Sequence, residues 1–156
     1  MHIVLIEPRI PPNTGNIARL CAATDTSLHL IEPLGFRLDD ADMRRAGLDY
    51  WDAVDLWIHA GWRDFRSAMS RDRCLYFSSH ATRPHWEARF QPNSCLVFGN
   101  ETDGMPERIL AKHPDEVFRI PMGPAVRSLN LATAAGIVLY EGIRQLQGVG
   151  PALGDD

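Results

Sequence analysis

Three short segments of the chain carry polar residues at spacings suited to chemistry on a bound group. The first reads Glu7-Pro8-Arg9-Ile10-Pro11-Pro12-Asn13-Thr14-Gly15-Asn16 and runs on into Ile17-Ala18-Arg19. Its three prolines stiffen the loop, and Asn13 or Thr14 is expected to cap the helix that follows. Asn16 and Arg19 stand three apart, so on that helix both project from one face of the first turn. Spacing alone favours a capping Asn16 and a solvated Arg19; the alternative is a polar pair facing an RNA phosphate and ribose. The second segment, Phe98-Gly99-Asn100-Glu101-Thr102-Asp103-Gly104-Met105-Pro106, sets two glycines and two carboxylates in a tight loop. Gly99 and Gly104 permit positive φ or close ligand approach, and Pro106 suits the first position of a helix. The carboxylates could face a cationic sulfonium or hydrogen-bond a ribose hydroxyl, although a generic strand-to-helix turn accounts for them equally well. The third, Ile120-Pro121-Met122-Gly123-Pro124-Ala125-Val126-Arg127-Ser128-Leu129-Asn130, offers backbone amides to an adenine or a carboxylate. A turn explains its prolines but not Arg127-Ser128-x-Asn130, so function is favoured there.

The elements that must position these loops are legible as apolar runs. Strands are expected at His2–Glu7, Leu28–Glu32, Val54–His59, Arg73–Ser78, Cys95–Phe98 and Val117–Ile120. Helices are expected at Gly15–Ala23, Ala41–Tyr50, Trp62–Ser70, Pro106–Lys112 and Leu129–Gln147. Near-continuous apolar strands separated by helices imply an α/β fold whose parallel sheet carries helices on both faces. In such a sheet ligands bind past the carboxyl ends of the strands, where all three segments fall. The last helix repeats Leu129, Ala132, Gly136, Leu139, Ile143 and Leu146 at steps of three or four, with Ser128 or Asn130 as its cap. Its small residues Ala132, Ala134, Ala135 and Gly136 suit close packing beneath a loop or against a second subunit.

Composition narrows the function classes. A length of 156 residues fits one domain, expected over residues 1–150, with a Gly/Pro-rich disordered tail at 151–156 that begins to loosen from Gly148. The opening Ile3-Val4-Leu5-Ile6 is too short for a signal peptide or membrane span, so a cytoplasmic, membrane-free protein is expected. A net charge of −4 excludes a general positive field and a non-specific RNA binder. Fifteen of the sixteen basic residues are Arg, the residue suited to bidentate phosphate contacts; Lys112 is the exception. Cys21, Cys74 and Cys95 read as reduced, packed thiols. His2, His29, His59, His80, His85 and His113 show no metal spacing and no triad, and His80 and His85 lie closest to the expected site. Trp51, Trp57, Trp62 and Trp86 are expected to serve packing more than RNA stacking. The Gly-x-Gly-x-x-Gly fingerprint is absent after the first strand, which excludes a Rossmann-type cofactor site.

Asn13-Thr14-Gly15-Asn16-Ile17-Ala18-Arg19, Phe98 through Gly104, and Ile120-Pro121-Met122 with Arg127-Ser128-Leu129-Asn130-Leu131 resemble, in order and spacing, the three motifs of the SpoU branch of SPOUT methyltransferases. Glu7-Pro8 with Ile10 through Asn16, and Arg44-Arg45-Ala46-Gly47-Leu48-Asp49-Tyr50, are similar to the tRNA wobble-nucleotide 2′-O-methyltransferases of that branch. The resemblance spans almost the whole chain. It implies a C-terminal trefoil knot, an exception to the rule against threaded chains. A homodimer and S-adenosyl-L-methionine (AdoMet) as methyl donor, with no metal, are also implied. The implied substrate is the ribose of a cytidine or modified uridine at the tRNA wobble position, in leucine isoacceptors. Another tRNA or ribosomal RNA site, and a catalytically silent RNA-binding knot, are the alternative readings. The cofactor pocket of the family maps onto Phe77, Gly99, Glu101, Ile120, Ser128 and Leu129. Catalytic roles map onto Asn16, Arg19, Ser128 and Asn130, with Asn16 and Arg19 acting on RNA opposite the partner subunit's cofactor. Relatives often carry Ser-Asn where this chain has Ala132-Thr133.

Overall fold

The computed structural model describes residues 1–38, 51, 53–69 and 74–147. Seven strands, β1 His2–Ile6, β2 Ser27–Ile31, β3 Leu56–His59, β4 Cys74–Phe77, β5 Arg83–Pro84, β6 Cys95–Phe98 and β7 Val117–Arg119, form one sheet. All pair in parallel, in the order β3-β2-β1-β6-β4-β7-β5. Among the described residues, four α-helices accompany them: α1 Pro11–Ala23, α2 Trp62–Ala68, α3 Glu107–Leu110 and α4 Leu131–Leu146.

Alternation along the central strands explains why they are apolar without interruption. Ile3, Leu5, Leu96 and Phe98 join one core with Ile17, Ala18 and Cys21 of α1 and Ala135, Val138 and Leu139 of α4. Val4, Ile6, Cys95 and Val97 point the other way, into a second core with Phe65 of α2 and Ile109 of α3. A strand buried on both faces favours apolar residues at nearly every position, and each fully buried Leu or Ile contributes about 1.5–3 kcal/mol. The cysteines are free and buried, as their apolar surroundings imply.

Several boundaries differ from the sequence expectation. Helix α1 begins at Pro11, with Ile10 at its N-cap and no side-chain cap. Asn13 and Thr14 therefore cap nothing; they sit inside the first turn, buried. Two of the three prolines that read as a stiff loop, Pro11 and Pro12, occupy the first helical positions, where a missing N–H costs nothing, and Pro8 stays in the loop. Strand β5, only two residues long and half proline, has no apolar run to announce it. Helix α3 is a single turn, shorter than expected, and Pro106 is its cap rather than its first residue. The expected helix over Ala41–Tyr50, with the Arg44–Tyr50 motif, and the tail 148–156 lie outside the described residues.

Candidate active site

The first loop is aimed by backbone geometry. Glu7 takes φ 50°, a left-handed conformation that costs a non-glycine residue, and so turns the chain sharply out of β1. Residues 8–10 then meet the loop that follows β6. The Glu101 carboxylate accepts hydrogen bonds from the backbone N–H of Arg9 at 2.9 Å, from that of Ile10 at 3.2 Å, and from Asn13 Nδ2 at 3.1 Å. Asn13 Oδ1 in turn accepts from Asn130 Nδ2 at 2.8 Å. Asn130 Oδ1 accepts from the N–H groups of Ala132 and Thr133 at 2.9 and 3.2 Å, which caps α4. Asn13 is thus the joint between segments 88 and 117 positions away. Bonds to an ionised carboxylate contribute about 1.5–3 kcal/mol each, so Glu101 fixes the first loop strongly. Its carboxylate is turned to these donors, where the sequence suggested a sulfonium or ribose partner. Arg9 and Asp103 add an exposed ion pair at 2.7 Å.

Behind this clamp lies a cavity of about 540 Å³. Phe77, Gly99, Glu101, Ile120, Ser128 and Leu129, the six residues expected around the cofactor, all line it, as does Asn130. Phe77 is stacked on Phe98 with ring centroids 5.2 Å apart, giving the cavity an aromatic wall. Asn16 and Arg19 do not line it; both are exposed on α1. A larger cleft, about 720 Å³, opens between α2 and α3 and contains none of these residues.

The two loops that face each other across the cavity are built differently. Gly104 takes φ 71°, and a Cβ on Gly99 would stand 2.1 Å from the Gly104 carbonyl carbon. Gly99 is therefore needed for the loop to close on itself, not for ligand approach. Asn100 Oδ1 accepts from the N–H groups of Thr102 and Asp103 at 3.0 and 2.7 Å, and its carbonyl accepts from Gly104. The loop after β7 has no such bracing. No backbone N–H from Met122 to Leu129 finds a backbone acceptor among the described residues, so these donors stand open to a ligand.

Asn13, Ser78 and Ser79 line the cavity and were missed as site residues. A signal for Asn13 existed: it shares with Ile17 and Cys21 the four-residue spacing of the buried face of α1. Of the two histidines nearest the site, His80 lines the cavity, whereas His85 is buried beside Trp86, its burial lowering the tendency to protonate. His2, His29 and His59 form a hydrogen-bonded ladder across β1, β2 and β3, at 3.1 and 2.9 Å. Burial, then the neighbouring His2 and His59, push His29 down to about 4. Trp62 packs against Phe65, whereas Trp57 and Trp86 are each 54% exposed and lie outside the core. Among the described residues no group of three His, Cys, Asp or Glu is placed to hold a metal.

Residues 1–140 match the model of the SpoU rRNA methylase family. The chain belongs to this family. A tRNA (cytidine(34)-2′-O)-methyltransferase of Saccharophagus degradans is 50% identical over 146 residues, 93% of this chain and 95% of its own. A solved structure described as giving insight into the 2-OH methylation of C/U34 on tRNA has a TM-score of 0.89 at 47% identity, covering 94% of this chain and 96% of that one. An AdoMet-bound rRNA methyltransferase of Sinorhizobium meliloti has a TM-score of 0.82 at 26% identity, over 93% of this chain and 56% of that one. The parallel sheet with its flanking helices is the SpoU methyltransferase fold, and the three loops that meet at the cavity are those carrying the SpoU motifs.

Proposed function

We propose that the chain is an AdoMet-dependent tRNA ribose 2′-O-methyltransferase acting on the wobble nucleotide, position 34, a cytidine or a modified uridine. The observation that carries this reading is the convergence of three motif loops on one cavity, in a chain half identical to a tRNA (cytidine(34)-2′-O)-methyltransferase over nearly its full length. One methyltransferase domain over residues 1–150, acting in the cytoplasm on leucine isoacceptors, completes the reading. No helix among the described residues is long and apolar enough to cross a membrane.

The cavity suits AdoMet. Its volume lies within the roughly 300–1,000 Å³ usual for small-molecule sites. Phe77, Phe98 and Leu129 offer apolar surface to an adenine. Ser78, Ser128 and the open amides of Met122 and Arg127 to Leu129 offer polar partners to a ribose and an amino-acid head. AdoMet, when bound, supplies the sulfonium-activated methyl group.

The residues of the chain then have to place a ribose hydroxyl and dispose of its proton; positioning alone can supply roughly 7–11 kcal/mol of a barrier. Asn130 is a positioning residue acting through Asn13, and Ser128, exposed at the rim, contacts the substrate. Arg19 anchors an RNA phosphate and, with Asn16, orients the 2′-hydroxyl, whose proton passes to phosphate or water. An arginine holds its own proton to about pH 12 or above, so it is no general base. Arg19→Lys keeps the charge and loses the fork; a fall in kcat of about tenfold is expected, and near-full turnover contradicts the assignment.

Asn16 and Arg19 stand outside the cavity of their own subunit, so we assign them to a partner's, in a homodimer. Helices α1 and α4 pack side by side, with Leu20 within 3.9 Å of where a Cβ on Gly136 would be, and leave Ile137 and Tyr140 of α4 37% and 53% exposed. Such apolar exposure suits an interface between two copies. A trefoil knot belongs to the same reading, supported by the insertion of β4 between β6 and β7 and by the meeting of the loops after β6 and β7 at one cavity.

Transfer of labelled methyl from AdoMet to unmodified total tRNA, followed by nucleoside mapping, tests the proposal. Label on the wobble ribose is expected. Label on another tRNA or ribosomal RNA site moves the substrate and leaves the chemistry, whereas no label despite AdoMet binding leaves a silent RNA-binding protein.

A further inference from the structure

A protein of net charge −4 that grips RNA must concentrate its positive charge. The cofactor cavity does not do so: Arg127 faces Glu101 and Asp103 among its lining residues. On the far face of the sheet, the cleft between α2 and α3 is lined by Trp62, Arg63, Arg66, Arg108, Lys112 and His113, with no carboxylate among its lining residues. Arg63 and Arg66 stand three apart on α2, a spacing at which like charges repel and weaken a helix. Two nearby acids are engaged otherwise, while Glu107, beside Arg108 on α3, is exposed and is not among the lining residues. Asp64 accepts from the Ala60 N–H at 3.3 Å and lies 3.5 Å from His59, and Glu116 lies 3.3 Å from His113. Arg66 is held in place, donating to Cys74 Sγ at 3.2 Å with its guanidinium 5.9 Å over the Trp62 ring. Arg63 and Arg108 are exposed at the mouth, one on each helix.

We infer that this cleft is a second RNA contact, binding backbone phosphates of the tRNA between Arg63 of α2 and Arg108 of α3. The inference rests on the reading of the chain as a tRNA methyltransferase. A guanidinium fork matches two phosphate oxygens, and cations from two helices converging on one cleft can clasp a phosphate that neither helix would hold alone. Phosphate contacts position a nucleic acid without reading its sequence, so the cleft contributes affinity and orientation while choice of nucleotide stays at the cofactor cavity.

Arg63→Gln, Arg108→Gln and the double variant are compared with wild type and with Arg89→Gln, an exposed arginine outside both cavities. The readouts are tRNA binding over a salt series, steady-state methylation and AdoMet affinity. The double variant is expected to raise the tRNA KM about tenfold or more and to reduce the slope of log affinity against log salt by about 1, roughly one per phosphate lost. Its kcat at saturating tRNA and its AdoMet affinity stay at wild-type values. A double variant with wild-type KM and salt slope overturns the inference, as does an equal loss in Arg89→Gln, which would mean bulk charge. Both of those outcomes are read against a wild type that methylates tRNA; a wild type that transfers no methyl overturns the functional reading, and this inference with it.

Discussion

The two loops that bound the cavity behind the Glu101 clamp use their glycines in opposite ways. In the loop after β6, Gly99 lies so close to the Gly104–Met105 peptide that a Cβ would stand 2.1–2.2 Å from backbone atoms. In the loop after β7, Gly123 has nothing within 4 Å of where its Cβ would be. The first loop is braced internally through Asn100 and clamped externally through Glu101; the second leaves its amides without backbone acceptors. The difference separates two tasks. One wall is fixed before a ligand arrives, and the other keeps the donors a ligand needs.

Gly99→Ala should break this contrast most severely. The Cβ meets backbone, not a flexible side chain, so the loop must move; a loss of about 3 kcal/mol and at least a hundredfold weaker AdoMet binding are expected by thermal unfolding and calorimetry. Asn13→Ala removes the joint and leaves Glu101 and Asn130 each short of a partner. The bond lost from the Glu101 carboxylate is worth about 1.5–3 kcal/mol, so AdoMet affinity and kcat/KM should fall about thirtyfold and Tm by several degrees. Arg9→Ala loses only an exposed ion pair with Asp103, its side chains 45% and 62% accessible. That should cost less than about 1 kcal/mol, and salt should erase the difference in denaturant titrations. Gly123→Ala, in the open loop, should change stability by about 0.5 kcal/mol or less in the same titration; a loss as large as that of Gly99→Ala would erase the distinction between the two walls.

Much of the fold was legible because β1 and β6 bury near-continuous apolar runs on both faces and β2 does so around the single buried His29, while α4 keeps one helical stripe and a capping Asn130. The lining residues Gly99, Ile120, Ser128 and Leu129 lie in the three motif segments, and Phe77 was reached only through the family resemblance. What escaped were the pairings. Nothing in Asn13 itself announces hydrogen bonds to residues 88 and 117 positions away, and its place beside two prolines suggested a cap. Nor could the segments at 62–66 and 108–113 be seen to converge, because each is an ordinary charged helix until the fold brings them to one cleft. Strand β5 was missed for a simpler reason: two residues, one of them Pro84, carry no period.

The central claim is that the cavity behind the Glu101–Asn13–Asn130 clamp is the AdoMet site. It is tested most directly by calorimetric titration of AdoMet into the wild-type protein, Asn13→Ala and Gly123→Ala. The account predicts tight binding to the wild type, near-equal binding to Gly123→Ala, and binding about thirtyfold weaker to Asn13→Ala. Equal AdoMet affinity in all three proteins, with Asn13→Ala still folded, would contradict it.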